Sequence, residues 1–307
     1  MKISFALPMS GSWATPENQV RVARRAEELG YEGLWTVQRL LYPEGGGERM
    51  GEVYRSVLDP VVSLAFVAGH TSRIRLGLAV LNMPFFSPAN LAKQLTTLDL
   101  VSGGRLDAGL GLGWSHEEFA ASGVAYERRG RRGEEYLEVL RELWTADVAE
   151  YAGEWYRLDR VRQDPKPVQR PHPPILLGGT AAPALRRAGR VADGWISSSR
   201  TDLGELSESI ATIKQAAAEA GRDPDALRFV CRGPLVVRDG GASASGRAPL
   251  TGTHEQIRSD FEGIAEQGIT ELFLDPNYDP EIGSPDADAA AAMDRVEAAL
   301  DAFAPRR

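Results

Sequence analysis

One cysteine, Cys231, stands in 307 residues. An intrachain disulfide framework and a cysteine-based zinc cluster are therefore excluded. The four histidines, His70, His116, His172 and His254, fall at scattered spacings with no metal-ligand pattern, so no metal site is expected. Lysine is scarce: only Lys2, Lys93, Lys166 and Lys214 contribute to the 35 basic residues, and arginine supplies the rest. The net charge of −8 argues against a nucleic-acid surface or a basic membrane-surface protein. No uncharged apolar run reaches about 18 residues, so no transmembrane helix is expected. The opening Met1–Leu7 enters a strand-like run without the apolar core and cleavage site of a signal peptide, and a cytoplasmic protein is expected. No Walker lysine motif, H-E-x-x-H, G-x-S-x-G or paired-cysteine motif occurs, which leaves nucleotide hydrolysis, zinc proteolysis and serine-type hydrolysis without support.

What is present is an ordinary globular balance, 43% apolar and 25% charged, long enough to bury a sizeable core. Short apolar runs alternate with longer amphipathic ones. Ile3–Leu7 reads as a strand, and Thr15-Pro16 as a cap followed by proline at a first helical position. Val22, Ala26 and Leu29 mark that helix's face, and Gly30 stops it. Strands follow at Tyr31–Thr36, Ile74–Leu81, Arg105–Gly111, Ile175–Leu177, Gly194–Ser198, Leu227–Val237 and Thr270–Asp275. Helices are expected at Pro60–His70, from Ser87-Pro88 to Ser102-Gly103-Gly104, and over Gly133–Trp144, Ala181–Gly189, Leu203–Ala220, His254–Gln267 and Asp286–Phe303. Eight strand–helix units imply a parallel sheet, and eight close into a (β/α)₈ barrel in one domain, residues 1–307. An open doubly wound sheet is the alternative, but Pro8-Met9-Ser10-Gly11-Ser12 replaces its glycine fingerprint. Three segments exceed ordinary loop lengths: Gln38–Arg55, Ala146–Pro174 with a small hairpin, and Arg238–Thr253.

A barrel of this kind carries its site at the C-terminal strand ends. That rule selects Trp35, Gln38 and Arg39; Ala79, Val80 and Asn82; the stretch Gly111 to Glu118; Gly178-Gly179-Thr180; and Ser197 to Arg200. Gly178-Gly179-Thr180 reads either as a phosphate site at a helix start or as a tight turn with Thr180 as a plain cap. Gly111-Leu112-Gly113-Trp114 offers a surface for a flat ring, or Trp114 covers the rim. Arg39 stays charged near neutrality, so it pairs with an anion or is a solvated surface residue. His116 and Glu117 are the nearest titratable groups for a proton relay, or mark a helix start at the surface. The run Arg128-Arg129-Gly130-Arg131-Arg132 reads first as a solvated helix entry and second as a phosphate contact.

Taken in order, these residues resemble the luciferase-like flavin monooxygenase superfamily, most closely its deazaflavin-dependent branch. The matching blocks are Gly33-Leu34-Trp35-Thr36, Asp59-Pro60, Thr71 to Gly77, Leu98-Asp99, Ser102 to Leu106, Gly109 to Trp114 with Glu118-Phe119, Arg129-Gly130, Pro165-Lys166-Pro167 through Pro174, Gly178-Gly179 and Ala192 to Trp195. They cover roughly residues 1–200. The resemblance implies a (β/α)₈ barrel with insertions and a flavin or deazaflavin across the strand ends. It implies a non-proline cis peptide at Ala79-Val80, ring and side-chain contacts from Asn82, Leu112 and Glu117, and a phosphate-binding turn at Gly178, Gly179, Thr180 and Ala181. Where many relatives carry an acidic residue and histidine after the second strand, this chain has Gln38-Arg39. Trp114 stands where some place an acidic proton-transfer group. The usual relay therefore does not carry over, and Arg39 is left to stabilise negative charge on ring or substrate.

The resemblance implies hydride transfer between the deazaflavin coenzyme (F-420) and a small organic substrate. The alternatives are a two-component monooxygenase that takes reduced FMN from a partner reductase, and a barrel that has lost catalysis and only binds a ligand. A homodimer is expected on the family's habit.

Overall fold

The computed structural model describes residues 1–45, 50–238, 240 and 246–305. Eight parallel strands form its frame: β1 (Lys2–Ala6), β2 (Gly33–Thr36), β3 (Arg75–Leu78), β4 (Leu106–Gly111), β5 (Ile175–Gly178), β6 (Gly194–Ile196), β7 (Arg228–Pro234) and β8 (Glu271–Asp275). Each pairs with the next, and β8 returns to β1 with Lys2 opposite Glu271, so the sheet closes. The main covering helices are α1 (Pro16–Leu29), α2 (Pro60–Ala68), α3 (Pro88–Val101), α4 (Arg129–Thr145), α5 (Ala182–Val191), α6 (Leu206–Glu219), α7 (His254–Glu266) and α8 (Ala289–Phe303).

Alternation along each strand sorts side chains into two cores. Leu34, Leu76, Leu106, Ala108 and Leu110 face the helices and join the outer core. Trp35, Phe273, Leu176, Ile196 and Val230 face inward and fill the barrel. Trp35 and Phe273 stack at 5.5 Å. Below them lies an ionic layer, in which Arg75 and Arg228 grip Asp107, and Arg228 reaches on to Glu271. Among the described residues, the ionic floor and aromatic plug fill the lower barrel, beneath the upper strand ends.

Several boundaries differ from the sequence expectation. The run Ile74–Leu81 is not one strand: β3 stops at Leu78, the Ala79-Val80 peptide is cis, and Leu81–Asn82 then pairs with Leu110–Gly111. Leu227–Val237 also divides, with Val236–Val237 pairing to Thr251–Gly252 in a separate ribbon. Helix α4 begins at Arg129 rather than Gly133, because the arginine run is itself helical. The expected hairpin is Ala149–Ala152 against Arg157–Val161. Of the long loops, residues 46–49 of the first and 239 and 241–245 of the third lie outside the described residues.

Candidate functional site

A cavity of about 920 Å³ opens at the C-terminal strand ends. Gln38, Arg39, Ala79, Val80, Asn82, Leu112, Trp114 and Gly178 through Ala181 all line it. His116 and Glu117 do not. His116 is exposed and stacks on Tyr126 at 3.9 Å. Glu117 is exposed, and a hydrogen bond from Ser115 Oγ holds its carboxyl below the usual range. Both belong to a short helix, His116–Ala121, whose start turns them outward. Substituting His116→Ala or Glu117→Gln is expected to leave ligand affinity within about twofold, as at ordinary surface positions. Calorimetric titration of the two variants checks this.

The cavity floor is built from the break after β3. Val80 lies between Gly111 and Gly178, where an added Cβ would come within 2.5 and 3.0 Å of its methyl groups. The bareness of Gly178 thus makes room for Val80, a use the glycine pair did not reveal in sequence. Gly179 serves the turn itself, with φ at +129°. Thr180 is not the cap of α5; Ala181 is, and it has no side-chain oxygen to bond the first turn. Gln38, buried beside the break, accepts from the Asn82 N–H at 2.8 Å and ties β2 to it.

Helix caps follow a pattern. Thr15, Asp59, Ser87, Thr253 and Asp288 cap α1, α2, α3, α7 and α8 with their side chains. Helices α4, α5 and α6 start at Arg128, Ala181 and Glu205 with no cap from those side chains, and all three residues line the cavity. The first amide of α6, Leu206 N–H, is taken by Gln267 Oε1 at 2.7 Å, which leaves the starts of α4 and α5 uncapped. Uncapped helix starts present amide donors and a positive dipole end to an anion.

Charge is also concentrated here. In a chain of net charge −8, the lining holds six arginines (Arg39, Arg128, Arg129, Arg187, Arg200 and Arg232) against Asp202, Glu205 and Glu208. The basic run that opens α4 sits between solvent-side ion pairing and the cavity. Arg128 pairs with Glu154, while Arg128 and Arg129 also face the cavity.

Arg232 escaped sequence reasoning, and Glu118, selected only as part of the stretch after β4, was given no role there. Arg232 on β7 is buried and bound to Asp275 on β8 at 2.7 and 2.6 Å, a pair 43 residues apart that no local pattern announces. Glu118 is completely buried, accepts from the Leu40 N–H at 2.8 Å, and reaches Arg39 at 3.3 Å. Its spacing from Ser115 suggests a capping box, and Ser115 does accept from the Glu118 N–H. The Glu118 carboxylate instead crosses to the loop after β2. Burial pushes the Arg39 guanidinium below its usual range, with the charge of Glu118 opposing. Cys231 takes no part: it is buried, and burial pushes its thiol up to about 12.

An uncharacterized protein of Mycobacterium tuberculosis (strain ATCC 25618 / H37Rv) is 36% identical over 211 residues, covering 66% of this chain and 74% of its own. The FMNH(2)-dependent dimethylsulfone monooxygenase of Pseudomonas putida is 33% identical over 231 residues, covering 74% of this chain and 60% of that protein. Among solved structures, monooxygenase RslO1 from Streptomyces bottropensis superposes with a TM-score of 0.80 at 23% identity, over 99% of this chain and 98% of that one. An F420-dependent secondary alcohol dehydrogenase, in complex with an F420-acetone adduct, gives 0.76 at 16% identity over 98% of both chains. At such identities these two structures speak to the fold. The luciferase-like monooxygenase family matches residues 3–302, nearly the whole barrel, and this chain belongs to that family.

Proposed function

We propose that the protein is an oxidoreductase that moves a hydride between the deazaflavin coenzyme F420 and a small organic substrate. The observation that carries this reading is the convergence of uncapped helix starts on one arginine-rich cavity. F420 bears its ring on a phosphodiester followed by carboxylates, whereas FMN ends in a single phosphate. The starts of α4 and α5, with Arg128, Arg129 and Arg187 beside them, suit the longer anionic tail. The level floor of Gly111, Val80 and Gly178 suits a planar ring. When bound, the deazaflavin supplies the hydride donor or acceptor.

The chain supplies position and electrostatics. Gln38 fixes the backbone at Asn82. Asp275 holds Arg232 in place and balances its charge. Trp114 and Tyr54 flank Arg39 and shield it from water, which strengthens any charge interaction made there.

A second reading, monooxygenation with reduced FMN from a partner reductase, is favoured by the 33% identity to the dimethylsulfone monooxygenase. Titrating the protein with F420 and with FMN, each followed by its own fluorescence, separates the two. F420 is expected to bind at least about tenfold tighter, a difference of roughly 1.4 kcal/mol. Tighter FMN binding, with oxygen-dependent product from reduced FMN, would establish the second reading instead.

A further inference from the structure

The cavity arginines differ in how far their donors are committed. Arg232 is taken up by Asp275, Arg187 by Glu134 at 3.1 Å, and Arg128 by Glu154 at 2.6 Å. Arg39 stands apart. Its side chain is 9% exposed, and its Nε donates at 2.6 Å to the carbonyl of its own neighbour, Gln38. Nη1 approaches Glu118 Oε2 at 3.3 Å without hydrogen-bond geometry, and both atoms are buried with no hydrogen-bond partner. The other oxygen of Glu118 is occupied by the Leu40 N–H. The guanidinium lies over Trp114 at 4.8 Å and Tyr54 at 5.6 Å.

Guanidinium carries five donors in a rigid fork, and burying such donors unpaired is costly. A carboxylate or sulfonate accepts from that fork bidentately. The aromatic faces of Trp114 and Tyr54 offer apolar surface to the body of such a molecule. Arg39 follows β2, three strands around the barrel from the α5 start that follows β5. One cavity can therefore hold an anionic tail at one side and a second anion at the other.

We infer that Arg39 is the receptor for an anionic group on the substrate, so that the substrates are small organic acids. This rests on reading the cavity as the reaction site. Glu118 is a positioning residue: anchored to the Leu40 N–H, it keeps the guanidinium between the two rings and moderates its charge.

The test titrates benzoate, benzenesulfonate and neutral benzamide into the full chain by calorimetry, with and without saturating F420. The anions are expected to bind at least about tenfold tighter than benzamide, and F420 to leave that preference unchanged. Arg39→Met removes the preference, and Arg39→Lys keeps part of it, since the charge survives and the fork does not. Glu118→Gln retains an acceptor for Leu40 but loses the opposing charge, so it tightens anion binding. A purely structural pair would make Arg39→Met and Glu118→Gln lose binding alike, and that result overturns the inference. So does equal affinity for benzoate and benzamide, or displacement of benzoate by F420, which would assign Arg39 to the cofactor. Anion preference in a protein that binds no F420 supports the inference and sinks the cofactor reading alone.

Discussion

Replacing Asp107 with alanine is expected to cost about 3–5 kcal/mol of unfolding free energy, toward the lower end of that range. Asp107 is 1% exposed and accepts four hydrogen bonds: from Arg75 Nε and Nη2 at 2.8 and 2.6 Å, and from Arg228 Nη1 and Nη2 at 2.6 and 3.2 Å. Arg228 continues to Glu271, which also accepts from Ser4 at 2.6 Å and Trp35 at 2.8 Å. One connected layer thus ties β1, β2, β3, β4, β7 and β8 across the barrel. Without Asp107, the two guanidinium groups face each other with no charge between them. They are about a quarter exposed, at 26% and 28%, so water recovers part of the loss. Against a typical total of about 5–15 kcal/mol the effect is large. Urea unfolding measures it, and a loss below about 1 kcal/mol would show that the layer is dispensable.

Asp107→Asn adds a pH test that survives if the alanine variant does not fold. Burial works against the Asp107 charge, but hydrogen bonds from Arg75 and the charge of Arg228 outweigh it and hold the carboxyl below its usual range. A carboxyl lowered in the folded state contributes stability above its unfolded value, about 3.9, and loses it as pH falls through the folded value. The gap between wild type and Asp107→Asn should therefore be full at neutral pH and narrow only below about pH 4. A gap that widened in acid would contradict the assignment.

The barrel was legible in sequence because its signals are local. Thr15-Pro16 and Ser87-Pro88 mark helix starts within a few residues, and both cap as their spacing predicts. Strand–helix alternation then leaves few topologies. The site was legible only as a set of strand ends. From Leu76 to Leu81 the run is apolar throughout, so nothing in its periodicity marks the turn at Ala79-Val80. His116 and Glu117 follow β4 at a plausible distance, but a helix start at Ser115 rotates them out and Glu118 in. Arg232 owes its place to Asp275, and Asp107 to Arg75 and Arg228; partners 32 to 121 residues apart are joined by strand pairing and by contact across the barrel, which no window of sequence contains.

The largest functional effect is expected at Gly179. Its φ of +129° is open to glycine and strained for other residues, and an added Cβ would lie 2.7 Å from the Ala184 Cβ in the first turn of α5. The turn has little room to yield, because the Gly179 carbonyl accepts from Trp195 Nε1 at 2.8 Å. Gly179→Val must therefore strain the backbone, break that bond, or push the α5 start away from the cavity. Backbone strain of this kind costs about 1–3 kcal/mol of stability. If the cofactor's anionic tail seats on α5, losing a charge-assisted hydrogen bond and its dipole alignment removes about 3 kcal/mol of binding, roughly a 10²-fold rise in Kd for F420. Benzoate binding at Arg39, three strands away, should stay within about threefold of wild type. Loss of both ligands together would mean that the fold, not the anion seat, was damaged. A destabilised variant that still bound F420 with wild-type affinity would place the tail elsewhere, against α4 and its arginines.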